Sequence, residues 1–230
     1  TINSSTSGSI TLSSPGVALS GSSGDFVSAF AGTVTEHTGT IAITNSDYTL
    51  DQLVTINNAS TGAITLSTTD TPISGSSTLY SAALAGTINY SGNVSITNND
   101  YTAAELSNIN TGTTGSLSLT HTGVALSGTS SQIAAGFAGD VTEHTGTIAI
   151  SNADYTLTEL IAINNGSTGA ITFTTTNTAL EGTSTQLAQA LANSSNYAGQ
   201  VTITNADYTV DQLATINSGT AGTIVLNTNS

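Results

Sequence analysis

The chain contains no Lys, Arg, Cys or Met, while its 14 Asp and Glu residues give a formal net charge of −14. A surface that carries acids and no Lys or Arg repels nucleic-acid phosphates and anionic lipid head groups. No apolar run approaches the roughly 18 residues that a membrane-spanning helix needs. We therefore expect no nucleic acid and no direct insertion in a membrane. The lack of Cys fits any compartment.

Charge of either sign is scarce, since only 6% of the residues are charged. Acidity alone would suggest disorder, but the 37% of hydrophobic residues recur at regular spacing and therefore indicate burial. Ser, Thr, Asn and Gly must then form most of the surface. Because Lys and Arg are absent, no trypsin-type cleavage site remains, which suits an exported protein. We expect an extracellular or cell-surface location.

The chain repeats itself every 53 or 54 residues, as four copies of the tripeptide Asp-Tyr-Thr show. Self-similarity at such a period indicates an array of one supersecondary unit. We expect residues 1–230 to form a single continuous solenoid segment of four units plus a partial fifth, cut as a window from a longer array. The copies begin at Asp47, Asp100, Asp154 and Asp207.

Nine short segments with an apolar–small–apolar pattern predict strands that bury one face. Their starts are separated alternately by 23 and 30–31 residues, which is too far for hairpins and indicates parallel strands joined by crossovers. The segments are Ile10–Leu12, Ile41–Ile43, Ile64–Leu66, Val94–Ile96, Leu117–Leu119, Ile148–Ile150, Ile171–Phe173, Val201–Ile203 and Ile224–Leu226.

Both kinds of crossover predict a helix. In the shorter one, a Thr is followed three residues later by Glu or Gln, which is the capping-box pattern. These residues are Thr49, Thr102, Thr156 and Thr209. In the longer one, a Gly-rich turn around Gly21, Gly75, Gly128 and Gly182 precedes the expected N-caps Ser23, Ser76, Ser130 and Ser184.

The predicted fold class is an α/β repeat, a β/α solenoid with a parallel sheet on one face and short helices on the other. Its nine coils would alternate between 23 and 30–31 residues. This architecture is similar to leucine-rich-repeat-like solenoids, because an L-x-L strand is followed by Asn and a helical return. Here the Asn comes two residues after the second apolar strand residue, whereas leucine-rich repeats place it three residues after.

A longer motif, N-x-D-Y-T…L-x-x-I-N…G-x-I-x-L, covers essentially the whole chain. It resembles the tandem repeats of very large secreted surface and adhesin-type proteins of aquatic bacteria. This resemblance implies a structural protein of the cell surface.

The column of Asp residues has two interpretations. Carboxylates suit Ca²⁺, and a charge of −14 needs neutralising, but a lone Asp supplies few of the six to eight ligands that Ca²⁺ takes. Alternatively, each Asp accepts N–H bonds beside the positive end of a helix. We favour this structural interpretation and expect no cofactor, with calcium as the alternative. The calcium candidates are Asp47, Asp100, Asp154 and Asp207.

The other columns favour packing over catalysis. His37 and His144 share a column with Tyr90 and Tyr197, and a metal ligand or general base would not tolerate that exchange. No nucleophile–base pair recurs, so we expect no enzyme. We expect a structural ladder of Asn45, Asn98, Asn152 and Asn205 together with Tyr48, Tyr101, Tyr155 and Tyr208.

The outward face of the predicted sheet is a lattice of Ser, Thr and Ala without charge. Thr suits a solvated strand in any sheet, but the uniform lack of charge favours a contact role. The proposed contact residues are Thr11, Thr44, Thr65, Thr97, Thr120, Thr172 and Thr202.

Together these patterns predict a non-enzymatic repeat segment of an exported cell-surface, adhesin or filament protein. It would associate with itself, end to end or laterally, or with flanking repeats of the same chain. The alternative is a module that binds ice or glycan through its flat Ser/Thr-rich face.

Overall fold

The computed structural model describes residues 2–85 and 89–226. Over these residues the chain forms twelve three-residue strands, eight α-helices and one 3₁₀ turn at Asn3–Ser5. The strands are β1 (Leu19–Gly21), β2 (Ile41–Ile43), β3 (Ile64–Leu66), β4 (Ile73–Gly75), β5 (Val94–Ile96), β6 (Leu117–Leu119), β7 (Leu126–Gly128), β8 (Ile148–Ile150), β9 (Ile171–Phe173), β10 (Leu180–Gly182), β11 (Val201–Ile203) and β12 (Ile224–Leu226). The helices are α1 (Ser23–Phe30), α2 (Leu50–Asn58), α3 (Ser77–Ala83), α4 (Ala103–Gly112), α5 (Ser130–Gly136), α6 (Leu157–Gly166), α7 (Ser184–Leu191) and α8 (Val210–Gly219).

The strands form four three-stranded sheets, in the orders β1-β2-β3, β4-β5-β6, β7-β8-β9 and β10-β11-β12. Pairing is parallel, as predicted. In the first sheet Leu19 pairs with Ile41, and Ile41 pairs with Ile64. Paired residues therefore lie 22 or 23 positions apart in this sheet, and 21 to 23 apart in the others, as for Ile73 with Val94.

Eight of the nine predicted strands occur at the expected residues. The ninth, Ile10–Leu12, makes only an isolated bridge from Ile10 to Val34. Four further strands, β1, β4, β7 and β10, end at the glycines for which a turn was predicted, and that prediction is wrong. The sequence hides them because Gly replaces the second apolar residue of the pattern. At Gly75 and Gly182 a side chain would collide with the preceding helix, since a Cβ would lie 2.5 Å from a methyl carbon of Leu50 or Leu157.

These additional strands change the predicted sheet arrangement. β4 begins at Ile73, shortly after β3 ends at Leu66, and β4 rather than β3 pairs with β5. The prediction of nine coils with alternating lengths is therefore not confirmed, and the strands do not form one continuous sheet. The α/β repeat of parallel strands and short helices is confirmed.

The capping boxes of the shorter crossovers are confirmed. At α2 the Thr49 hydroxyl accepts from the Gln52 backbone N–H, and the Gln52 side chain accepts from the Thr49 N–H at 2.9 Å. The same reciprocal bonds occur at Thr102, Thr156 and Thr209.

The N-caps of the longer crossovers were placed correctly only at Ser76. The other three helices are capped one residue earlier than predicted, by Ser22, Thr129 and Thr183. The predicted residues are instead the first helical residues, and they are buried: Ser23, Ser130 and Ser184.

The described residues fall into two compact units. The first contains residues 2–85, 89–98 and 108–118, and the second contains residues 99–107 and 119–226. In the first unit the core lies between sheet and helices, where Ile41 and Leu53 are wholly buried. In the second unit Ile148 and Leu160 occupy the same positions. Each unit thus encloses its own column of Ile, Leu and Val.

Backbones of neighbouring coils touch at pairs of glycines. A Cβ on Gly62 would overlap the carbonyl oxygen of Gly39, and a Cβ on Gly169 would overlap that of Gly146. Gly115 meets Gly92 and Gly222 meets Gly199 in the same way. Only glycine allows the coils to approach so closely.

We predict that Gly169→Ala destabilises the chain by about 2 kcal/mol or more, because the added methyl must push two backbones apart. Gly123→Ala is the matched control, since a Cβ there would lie 3.9 Å from its nearest neighbour. Urea denaturation of both variants measures the difference. Equal midpoints would contradict the close contact.

Candidate functional site

The predicted Asn ladder holds the first residue of a helix in every repeat. Asn45 Oδ1 accepts the backbone N–H of Ser23 at 2.8 Å, and Asn45 Nδ2 donates to the Ser23 hydroxyl at 2.9 Å. The same pair of bonds joins Asn98 to Ser77, Asn152 to Ser130 and Asn205 to Ser184. The ladder thus ties the end of a central strand to the start of the preceding helix.

The buried Ser extends this contact to the next helix. The Ser23 hydroxyl donates to Gln52 Oε1 at 2.9 Å, and Ser130 and Ser184 donate equivalently to Glu159 and Gln212. The oxygen that accepts from the Ser is also the acceptor of the capping box at Gln52 and Glu159. One amide or carboxylate therefore fixes two helix starts.

The Asp column lies exposed beside the ladder. Nδ2 of Asn45 donates to Asp47 Oδ1 at 2.7 Å, and Asn152 donates to Asp154 at the same distance. The hydrogen bond from the Asn152 side-chain amide lowers the pKa of Asp154, and a backbone hydrogen bond lowers it further. The hydrogen bond from Asn205 has the same effect on the pKa of Asp207. Among residues 2–85 and 89–226, no three His, Asp or Glu side chains lie together as a metal site would require.

The Tyr column fills the edge of the core, and its hydroxyls donate hydrogen bonds to backbone carbonyls of the same repeat. Tyr48 and Tyr155 are buried and donate to the carbonyl oxygens of Thr68 and Thr175 at 2.7 and 3.0 Å. Tyr101 donates to the His121 carbonyl at 2.5 Å, and burial raises its pKa to about 12. Tyr208 is only partly buried. These rings contribute packing and do not form an open binding platform.

The histidine column is buried, and His144 shows how His and Tyr replace one another. His144 Nε2 lies 2.8 Å from the Val124 carbonyl oxygen, and its ring packs against Phe137 with centroids 5.4 Å apart. Tyr197 donates its hydroxyl to the carbonyl of Thr178, the residue equivalent to Val124. Each ring therefore presents a neutral donor to the same backbone position.

His37 occupies the same column in the first repeat. It is 1% exposed, and neither of its ring nitrogens has a hydrogen-bond partner among the described residues. For His144, loss of solvent contact on burial lowers the pKa, and the bond to Val124 opposes that effect only in part. Burial therefore disfavours protonation of His144.

The predicted contact residues lie on separate small patches, because the sheet is divided into four. Thr65, Thr172 and Thr202 are the middle residues of β3, β9 and β11 and point away from the core. In the first patch Ser20, Ala42 and Thr65 are direct neighbours across the sheet. Thr44, Thr97 and Thr120 directly follow strands and are exposed, as is Thr11.

Several of these Thr hydroxyls already have partners. Thr172 donates to the Ile148 carbonyl at 3.1 Å, and Thr97 donates to the Gly75 carbonyl at 3.2 Å. The outward row of the last sheet also contains Glu181 and Val225 beside Thr202, so it is neither uncharged nor uniformly polar. The lattice is therefore smaller and more varied than the sequence predicted.

The grooves among the described residues differ in chemistry, and one of them is lined by His121 together with Asn99 and Thr122. Another groove of about 530 Å³ is lined by Asn3, Ser28, Thr33 and other small residues, none of which is titratable. Among the described helices, none has the length and apolar content to cross a membrane.

The buried Ser of each repeat is the element that sequence reasoning missed. Ser23, Ser77, Ser130 and Ser184 each follow a Gly by two positions, a spacing that recurs in all four repeats. That recurrence is visible in the sequence, but it indicates helix capping equally well, and the neighbouring Ser or Thr performs the capping.

We predict that the chain loses stability as the pH falls below 6.5, the ordinary pKa of His. Because folding lowers the pKa of His144, the folded state binds fewer protons there, so its contribution is present above that pH and lost below it. His144→Tyr should reduce this loss, since Tyr197 fills the equivalent position. Urea midpoints between pH 7.5 and 5 measure it, and an identical pH profile for both proteins would contradict the assignment.

We predict that EDTA leaves the melting temperature unchanged, because the carboxylates of Asp47, Asp154 and Asp207 accept hydrogen bonds from the side-chain amides of the Asn ladder. Salts of any cation should raise it modestly by screening the charge of −14. Melting curves with CaCl₂, MgCl₂ and NaCl at matched ionic strength test this. A saturable rise specific to Ca²⁺ would instead support the calcium interpretation.

Comparison with known proteins adds no relative to this picture. The chain matches no protein-family model, no curated protein and no solved structure. Its function must therefore be argued from its own geometry.

Proposed function

We propose that this chain is a non-enzymatic structural repeat segment of an exported cell-surface, adhesin or filament protein. The observation that carries the proposal is the use of the polar columns. Ser23 bonds to both Asn45 and Gln52, and Ser130 and Ser184 bond in the same way to the equivalent residues of their repeats. These polar residues join one coil to the next.

We also propose that the repeats continue one another as a solenoid. Support comes from the constant separation of 21 to 23 positions between paired residues in all four sheets. Additional bridges with a similar separation join Ile10 to Val34 and Ile171 to Ser194. A segment built this way is suited to spanning distance and to contacting further copies of itself.

The surface chemistry favours an extracellular setting and a partner of the same kind. With a charge of −14 and no Lys or Arg, copies of the chain repel one another at low ionic strength. Because only 6% of its residues are charged, salt at physiological concentration removes much of this repulsion. Association of copies, end to end or laterally, then depends on the small uncharged patches and on exposed apolar residues.

The alternative is a module that recognises ice or glycan through its sheet patches. The rows of Ser, Ala and Thr, such as Ser20, Ala42 and Thr65, favour it because they are small and outward-facing. Their width of three strands and the internal bonds of Thr97 and Thr172 weaken it. We therefore place it second.

We predict that the chain forms filaments or bundles with increasing concentration, as measured by light scattering and negative-stain imaging at physiological salt. Dispersed chain should neither inhibit ice recrystallisation nor sediment with insoluble polysaccharides. A chain that stays monomeric at every concentration would overturn self-association. Binding of ice or polysaccharide by the monomer would favour the alternative.

Two variants locate the face that is used. Ser127→Lys places a charge in the outward row of the third sheet, and Thr158→Lys places the same charge on the exposed side of α6. Lateral bundling, if it uses the sheet patches, should be lost only in the first variant. An equal effect of both would point to net charge instead.

A further inference from the structure

Two consecutive Asn residues lie near the end of α2 and of α6, and the first of each pair has a structural role. Asn57 Nδ2 donates to the Ala82 carbonyl of α3 at 3.1 Å, and Asn164 Nδ2 donates to the Ala190 carbonyl of α7 at 2.7 Å. Each bond joins one helix to the next. The same position holds Asn in the other two repeats as well.

The second Asn of each pair is exposed and does not join coils. Among the described residues, the side chains of Asn58 and Asn165 have no hydrogen-bond partner. The other two repeats have Thr111 and Ser218 at this position, so the coil does not need Asn there. The recurrence of Asn in the first and third repeats is therefore not explained by the packing of the coils.

Both of these exposed Asn residues begin a tripeptide with Ser in the third place, namely Asn58-Ala59-Ser60 and Asn165-Gly166-Ser167. Asn-x-Ser or Asn-x-Thr, with any middle residue except Pro, is the acceptor pattern for N-linked glycans in exported proteins. The pattern occurs six times in this chain, because Asn, Ser and Thr are abundant, so the pattern alone selects no site. The surroundings of each Asn distinguish among the six.

The other four acceptor patterns use the Asn side chain to hold the backbone of a neighbouring coil. Asn193 Nδ2 donates to the Ser167 carbonyl at 3.0 Å, and Asn89 Oδ1 accepts from the Leu66 N–H at 2.9 Å. The two others, which also bond to backbone atoms, are Asn3 and Asn93. A glycan on any of these four side chains would disturb a contact between coils.

The Ser of each selected tripeptide sets the time at which a sugar can be attached. Ser60 Oγ donates to the His37 carbonyl at 3.0 Å, and Ser167 Oγ donates to the His144 carbonyl at 2.9 Å. Both Ser residues are buried. A transferase that recognises this hydroxyl cannot reach it in the folded coil, so the sugar has to be attached before the coil closes. After folding, the Asn remains at the surface.

The surface beside Asn58 has room for the first sugar of a glycan. A groove of about 360 Å³ lies there, which is within the range of small-ligand sites. Its lining offers hydroxyls to the sugar and some apolar surface. The lining includes Asn58 itself, Phe30, Val34, Thr35 and Thr55.

We propose that Asn58 and Asn165 are acceptors for N-linked glycans, which are attached during export from a lipid-linked oligosaccharide diphosphate. The side-chain Nδ2 forms a bond to the anomeric carbon of the sugar, while the bond from that carbon to a diphosphate oxygen of the donor breaks. The diphosphate leaves with the electron pair, and the amide nitrogen loses one proton. The glycans lie in the first and third repeats and add bulky polar surface to a chain in which only 6% of the residues are charged.

The test is to secrete the chain from a eukaryotic cell behind an added signal peptide. Its mass is measured before and after an endoglycosidase trims each glycan to one sugar. We expect one glycan on Asn58 and one on Asn165. Asn58→Gln and Asn165→Gln should each remove one glycan, whereas the matched control Asn89→Gln should remove none. Thr111→Asn should add one, because it creates the acceptor pattern with Thr113 in the second repeat.

Peptide mapping then assigns each sugar to its Asn, on the secreted chain and on any chain retained in the cell. Absence of sugar from either Asn58 or Asn165, or equal occupancy of Asn89, Asn93 and Asn193, would overturn the inference. The inference rests on the proposed export and is independent of self-association. A glycosylated chain that stays monomeric at every concentration would support glycosylation and overturn self-association, and an assembling chain without glycans would do the reverse.

Discussion

Contact between the backbones of neighbouring coils, at pairs of glycines, is the constraint on which the rest of the structure depends. Gly39 with Gly62, and Gly146 with Gly169, leave no room for a side chain. This approach brings the strands of each sheet into hydrogen-bonding distance and lets Ile and Leu from successive coils stack in one column. A larger residue at either position would separate the strands and the core together.

So close a stack buries backbone N–H groups that need hydrogen-bond partners, and the Asn, Ser and Gln residues supply them. Helix starts that are pressed against the next coil carry N–H groups that water cannot reach. Asn45 serves the start of α1, and Gln52 serves both that helix and its own. Most bonds of this kind join neutral groups and none needs a cation, which explains how an interior can be rich in polar contacts although the chain has almost no ion-pairing residues.

Helix caps and alternating strand patterns were predictable from the sequence, because they depend on neighbouring residues. Strand pairing and hydrogen-bond partners between coils were not. Thr49 and Gln52 form the capping box because its bonds lie within four residues, and β2 and β8 follow from their alternating pattern. The strand ending at Gly75 was missed because its assignment depends on pairing with β5, which lies 21 positions away. The division of the outward Thr residues into four patches was missed for the same reason, and the hydrogen-bond partners of the Asn and Tyr columns were not predictable from the sequence either.

The short separation between paired residues has a consequence for how the chain folds. Each strand needs only a loop of 21 to 23 residues to close before it finds its partner, as Ile41 finds Ile64. Loops of this length cost little entropy, and no pairing waits for distant parts of the chain. Folding is therefore able to start in any sheet and spread to its neighbours, as in other repeat proteins. A gene that gains or loses a whole repeat would change the length of the product without creating a new folding problem.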